Sequence, residues 1–405
     1  MRRLAGLLLG LVPAAAGAAP WAFGEPVDVA PPAGPGVFHH LESAGRRNVA
    51  SDHGSVAIVW EDNHTGAPQA YVALKPHGAA AFDAARMIST GSQAYEPAIA
   101  ALGNGRFLAV WEQDGAVWTR ALDARRLGPV QRLSGAEASQ ASVAARDGVA
   151  FVVWSERARG AASIRLARLE FEDVERPLGA ARAVQVDPDA PKADQIYPSV
   201  AANGSRVAVA WEDRRHGHTV LLHTHAPARS LQFAAPRMLN EQPPRRSAIY
   251  GRGPGVARVV LVERGEQGIA AAWLDKRDFT SGYDVYAALS RDGKRFGPNQ
   301  KVQDEFGNAI SQWHAAIGAN ARGRMAVVWN DDRDETPDIW ISWPEEGGWS
   351  ADETVPAASG AGAQTSPALA FDENGDLHLA WVDQAGPESP TRIRYIRGVY
   401  APRGR

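Results

Sequence analysis

Short apolar runs ending in tryptophan recur along the chain, each followed at once by polar residues. They close at Trp60 (VAIVW), Trp111 (FLAVW), Trp154 (FVVW), Trp211 (VAVAW), Trp273 (IAAAW), Trp329 (MAVVW) and Trp381 (LHLAW). Successive tryptophans lie 51, 43, 57, 62, 56 and 52 residues apart. Self-similarity at such a period marks a repeat architecture. Each unit divides into short Val-, Ile-, Ala- and aromatic-rich segments punctuated by Gly, Pro, Asn and Asp, the pattern of strands and turns. In the fourth unit the segments are PSVAANG, RVAVAW, TVLLHTHA and FAAPRMLN; in the second, EPAIAALGNG, FLAVW, AVWTRAL and PVQRLSG. Past the first residues no stretch sustains apolar recurrence at helical spacing. The pattern predicts an all-β fold, a seven-bladed β-propeller of four-stranded antiparallel blades.

The ends of the chain fit closure of that ring. The seventh unit has SPALAF, LHLAW and TRIRYIRG but no fourth segment, whereas FGEPVDVAP near the start has no unit of its own. Pairing of Phe23 to Ala30 with Arg392 to Arg397 would complete the last blade and remove two exposed sheet edges. The fifth unit is the least regular, between Tyr250 and Gly268. The repeating tryptophans are expected to pack between adjacent blades, because their period follows the fold.

The first residues, MRRLAGLLLGLVPAAAGAAP, read as a secretory signal with cleavage after Ala18. Residues 1–18 are then removed and 19–405 form a single propeller domain, periplasmic or secreted by a Sec-type route. The apolar stretch is too short and Gly-rich to persist as a membrane span. No cysteine follows it, so no lipid anchor is expected, and the exported protein holds together without disulfides. The net charge of -3 over 405 residues, with no long single-sign run, argues against a nucleic-acid partner.

The loop after the tryptophan is the main chemical signal. In five of the seven units it begins Trp-x-Asp, at Asp62, Asp213, Asp275, Asp331 and Asp383; the exceptions are Gln113 and Glu156. Units four to six extend it with Arg214 and Arg215, Lys276 and Arg277, and Asp332 and Arg333. A carboxylate two residues past a strand end can accept turn N–H groups and pair with an arginine two residues on, so the motif suffices to staple each hairpin. The same residues, opening on the face of the inter-blade links, would also ring a funnel. There the links add Tyr95, Tyr197, Trp313 and His314, and aromatic, Arg and carboxylate groups converging on a depression suit a carbohydrate or peptide. The unit-specific Arg214, Lys276, Asp332 and Asp334 are the stronger functional candidates. His216, His218, His223 and His225 lie within ten residues and are weaker candidates for a divalent ion, since no Asp or Cys completes a familiar spacing. The acidic turns Asp187-Pro188-Asp189 and Asp372 to Asp376 lack calcium-loop logic. No phosphate-cradling glycine loop or Gly-x-Ser-x-Gly elbow is present, and no cofactor is expected.

The stretches PSVAANGSRVAVAWEDRR, SQWHAAIGANARGRMAVVWNDDRDETPDIWISW and SGYDVYAALSRDGKRFGPNQKV resemble the repeats of bacterial sialidase-like (BNR-repeat) propellers. Ser290-Arg291-Asp292-Gly293 through Phe296 resembles a degenerate Asp-box, a hairpin between third and fourth strands; LKPHGAAAF and LDARRLG do not keep the box. The resemblance extends over residues 20–405 as repeats. It implies, for a true sialidase, three arginines on the substrate carboxylate, a Tyr–Glu nucleophile pair and an aspartate acid/base on six blades. The early Phe/Tyr-Arg-Ile-Pro motif is absent, Arg392-Ile393-Arg394 lies at the other end of the chain, and Tyr95-Glu96 are adjacent. No catalytic residue can therefore be assigned. A non-catalytic member is expected, binding a glycan, peptide or protein partner through its funnel face. The alternatives are an exo-acting glycoside hydrolase on acidic sugars and a periplasmic metal-handling protein using His216 to His225.

Overall fold

Each tryptophan-ending run is the second strand of a four-stranded antiparallel blade in the computed structural model. The structure describes residues 19–43, 45–157, 160–177, 182–190, 192–241, 255–278 and 282–401. Residues 1–18, expected to be a signal, lie outside the described residues. Blade 4 shows the plan: Gln195–Ala202 nearest the axis, then Arg206–Asp213, Val220–Pro227 and the short outer Arg237–Met238. Seven such sheets follow one another in chain order, as the repeat predicts.

The runs are continuously apolar because a second strand is covered on both faces by neighbouring blades. Every one of the seven apolar clusters joins residues of two successive blades; Leu108 and Val110 of blade 2, for example, pack with Val152 and Trp154 of blade 3. All seven tryptophans are buried to 1% exposure or less. At about 25 cal/mol per Å² and ~150–250 Å² per ring, each contributes about 4–6 kcal/mol of burial.

The ring closes through both ends of the chain. Val27, Asp28 and Ala30 pair with Tyr395, Arg394 and Ile393, and Trp21–Phe23 continue along Gly398–Tyr400. The added strand therefore begins two residues earlier than FGEPVDVAP indicates and is interrupted at Gly24, whose amide donates to the Arg397 carbonyl (3.0 Å). Trp21 locks the join: its indole donates to Gly375 O (3.0 Å), and its ring lies edge-on to Trp343 and Phe371 at 5.9 and 5.7 Å.

The hairpin at Asp292 is held by donation from the Lys294 and Arg295 amides at 2.8 and 3.2 Å. Asp123 accepts from the Arg125 and Arg126 amides in the same way, at 2.8 and 2.7 Å, although LDARRLG has lost the rest of the box. The turn needs only the aspartate. No helix among the described residues is long and apolar enough to cross a membrane.

Candidate functional site

Side chains alternate along a strand, so the Trp and Asp of Trp-x-Asp point one way and the residue between them the other. The Trp–Asp side is turned into the wall between blades. Trp60, Trp211, Trp273 and Trp329 donate their indole N–H to Asp62, Asp213, Asp275 and Asp331 at 2.7, 3.0, 3.0 and 3.0 Å. The two units without aspartate make the same bond, Trp111 to Gln113 (3.1 Å) and Trp154 to Glu156 (2.9 Å). Asp383 instead accepts from Arg392 Nε (2.7 Å), and the Trp381 indole has no acceptor.

The arginines of the motif run outward along the same wall. Arg215 forks onto Asp213 and reaches Asp187 at the end of blade 3 (2.5 Å). Arg277 forks onto Asp275, lies over the Tyr286 ring and reaches Asn299. Arg333 forks onto Asp331, lies over Trp340 and reaches Asp352 (2.9 Å). Burial alone would raise the Asp213 carboxyl; the bonds from Arg215 and Trp211 outweigh it and hold the group below its ordinary range. Arg214 and Asp332 are exposed at loop tips, and Asp334 is exposed beside them. The structure thus places the acid and arginine of the motif between blades, apart from the aromatic and link residues.

The opposite side of the strand leads to the axis. In every blade the inner strand carries one non-glycine residue in the left-handed region at the same place, two residues before the partner of the position preceding Trp. These are Arg46, Glu96, Gln140, Tyr197, Arg258, His314 and Ser366, with φ between 48° and 61°. The middle residue of Trp-x-Asp caps these bulges in the next blade. Glu61 accepts from the Glu96 amide (3.2 Å), Glu212 from that of Arg258 (2.8 Å) and Asn330 from that of Ser366 (3.2 Å), while Glu112 accepts from that of Gln140. Non-glycine residues in this region each cost about 1–3 kcal/mol and persist only where the surrounding structure over-determines the backbone, as the capping carboxylates of the preceding blade do here.

Blade 1 departs from the plan in one respect. Between His40 and Val49 its inner strand leaves the sheet and crosses the axis. Arg47 Nη2 donates to carbonyls of Val200 (3.0 Å) and Leu261, in blades 4 and 5, and Arg46 Nη2 to Pro367 O in blade 7 (3.0 Å). A Cβ on Gly45 would lie 2.2 Å from Ser142 Oγ of blade 3, so only glycine permits this approach. The segment roofs the axial channel and floors a mouth above it.

Groups from opposite blades meet at that mouth. Arg258 of blade 5 lies 3.7 Å from Glu42 of blade 1 and 3.5 Å above the Tyr197 ring. His40 contacts Glu42 (3.4 Å) and Glu61 (3.8 Å), which raise its pKa to about 10 and, with the His40 bond leading, lower that of Glu42 to about 2. Burial raises Glu96 to about 8 and Glu112 to about 7, and burial with nearby Arg46 lowers His314 to about 4. His314 Nδ1 is bonded to Asn330 Oδ1 (2.8 Å). Beside these groups Trp313, 44% exposed, stands edge-on to Tyr283 at 5.6 Å, and Lys276 Nζ lies 4.2 Å over that ring. Tyr95 is exposed at the same level in blade 2 and donates to Gln93. Of the sequence candidates, Tyr197, Lys276, Trp313 and His314 therefore come together, while the Tyr95 hydroxyl bonds only to Gln93 among the described residues. Glu96, Arg258, Glu42 and His40 join them; Glu96 and His40 stand in the link segments that the sequence puts on this face, whereas Arg258 and Glu42 were not singled out. The signal was available in the alternation: the residue after the tryptophan is Glu in three units, at Glu61, Glu112 and Glu212, and faces away from the wall.

The histidine segment lies elsewhere. The His216 and His218 rings are 6.4 Å apart, and His223 is buried edge-on to Phe296 at 4.9 Å. His223 and His225 share a pocket with Arg237 and Lys294, whose charge opposes a cation. Among the described residues no group of three or more His, Cys, Asp or Glu is placed to hold a metal ion.

No family model and no curated protein matches the sequence. Solved structures do. The β-propeller domain of the Trilobed protease from Pyrococcus furiosus is similar over 88% of this chain and 93% of that one, at 11% identity and a TM-score of 0.50. An alpha-L-arabinanase of Penicillium chrysogenum is similar over 74% and 92%, at 13% identity and 0.45. A subtype N11 neuraminidase-like protein from a flat-faced bat virus is similar over 82% and 93%, at 12% identity and 0.42. These likenesses concern the propeller fold alone.

Proposed function

We propose that the protein is an exported, non-catalytic propeller that binds a hydroxyl-rich ligand, a glycan, at the axial mouth. The observation that supports this reading most is the exposed Trp313 ledge, continued by Tyr283 and Lys276, beside a ring of hydrogen-bonding groups from at least four blades. Glu96, with its pKa near 8, is a neutral carboxyl at pH 7, and His314, near 4, is a neutral imidazole. Neutral donors and acceptors around an aromatic face suit sugar hydroxyls better than they suit a strongly charged ligand. A glycan array probed with the exported protein should give hits that Trp313→Ala weakens about 30-fold, the loss expected of an interface hot spot. Hits unaffected by Trp313→Ala, or none with a folded protein, would overturn the assignment.

The carboxyls favour a second reading, the glycoside hydrolase. Glu96 is held protonated by burial while Glu42 is held ionised chiefly by its His40 bond, the divergence in acidity that acid-assisted glycosidic cleavage uses. Turnover of a fluorogenic glycoside, including sialosides and uronides, that vanishes in Glu96→Gln would establish it. Absence of turnover at high protein concentration leaves the binding role.

A further inference from the structure

Below the Arg46–Arg47 roof lies a cavity of about 150 Å³ on the propeller axis, bounded by the inner strands of all seven blades. At roughly 30 Å³ per water it has room for about five waters, or for a small ion with part of its shell. Its walls are Ala, Val, Ile, Leu and Gly together with Phe371, and the two arginines enter from above. Each guanidinium is anchored at Nη2 on backbone carbonyls, at Pro367 for Arg46 and at Val200 and Leu261 for Arg47. The remaining nitrogens are not spoken for. Arg46 is 3% exposed, yet its Nε and Nη1 donate to no acceptor, nor does Nε of Arg47; the Ser51 hydroxyl on the same wall is also unpartnered. Buried guanidinium donors are almost always paired, because leaving them without an acceptor forfeits their hydration with nothing in return. The single acid on the wall, Glu263, is engaged elsewhere, by Arg146 Nη1 (3.3 Å) and the Gly265 amide (2.9 Å).

Glu263 is the one carboxylate on the wall, and Glu42 and Glu96 act on Arg46 only from the mouth, so an anion among these donors would be favoured by both charge and hydrogen bonding. We propose that the axial cavity is a binding site for a small inorganic anion of the halide class, held by Nε and Nη1 of Arg46 and Nε of Arg47. The anion pins the crossing segment of blade 1 to the surrounding blades. It is a structural ligand, separate from the glycan mouth above.

The test is thermal unfolding of the wild-type protein at constant ionic strength, with gluconate replaced stepwise by chloride or bromide, together with anomalous diffraction from bromide-grown crystals. The melting temperature should rise with the logarithm of halide concentration once that exceeds the Kd, reaching about 3 °C when the halide stands at 100 times its Kd. A bromide peak should lie within hydrogen-bonding distance of both arginines, and Arg47→Met should abolish the rise. If Arg47→Met does not fold, the wild-type anomalous map decides alone. A melting temperature indifferent to which anion is present, with no bromide peak on the axis, would overturn the proposal.

Discussion

Removing the Asp213 carboxylate tests how the Trp-x-Asp motif works. Asp213 is fully buried and accepts five hydrogen bonds: from Trp211 Nε1, the Arg215 amide, Arg215 Nε and Nη2, and Gln195 Nε2, all between 2.8 and 3.1 Å. Asp213→Ala strands the indole N–H and part of a half-buried guanidinium, a change bounded above by the about 3–5 kcal/mol of breaking a fully buried pair. Arg215 keeps Asp187 at 2.5 Å, so the lower end, about 3 kcal/mol, is expected. Against a total stability of about 5–15 kcal/mol that is a large fraction, and with a urea m-value near 3 kcal/mol/M it lowers the unfolding midpoint by about 1 M. Asp383 provides the internal control. It holds Arg392 and Gln364 but leaves its tryptophan without an acceptor, so Asp383→Ala should cost about half as much. Urea titrations followed by tryptophan fluorescence measure both. A midpoint for Asp213→Ala within about 0.2 M of wild type, or an equal loss for Asp383→Ala, would refute the staple. The sign with pH is fixed as well: the Asp213 pKa is lowered in the folded state, so its contribution is present above the ordinary carboxylate range. It disappears as the pH falls through the lower folded value.

Other consequences are open to measurement. Glu96 and His40 have folded pKa values raised to about 8 and about 10, so each favours the fold below its unfolded value and loses that contribution as pH rises. Stability should decline from about pH 5 towards 8, and Glu96→Gln should flatten the decline in a pH series of urea midpoints. Trp21→Ala removes the aromatic lock of the closing strand and should cost about 3–5 kcal/mol, visible as a lowered melting temperature. Gly45→Ala drives a Cβ to within 2.2 Å of Ser142 Oγ and should cost about 1–3 kcal/mol; Ser142→Gly should restore much of the loss in a double-mutant cycle.

The sequence showed the blades because their cause is local. A strand covered on both faces must be apolar without interruption, and Val, Ile and Ala up to each Trp say so. It showed the closure too, since an orphan strand at one end and a missing one at the other leave one pairing. The site was less visible for two physical reasons. Trp-x-Asp is conspicuous by repetition, and repetition reflects what each blade needs to stand on its neighbour; Asp62, Asp275 and Asp331 are consumed by their own tryptophans. The residues at the mouth differ from blade to blade: Arg46, Glu96, Gln140, Tyr197 and His314 share a backbone conformation and no side-chain type. The crossing of residues 41–48 over the axis left no periodic trace, because it occurs once.

Hydrogen–deuterium exchange of the protein, with and without a glycan-array hit, tests the axial mouth most directly. Binding there predicts slowed exchange in residues 312–316, 282–285 and 95–97, from three different blades around one opening. Protection confined to the loop tips at 214–217 and 332–335, with those three segments unchanged, would contradict it.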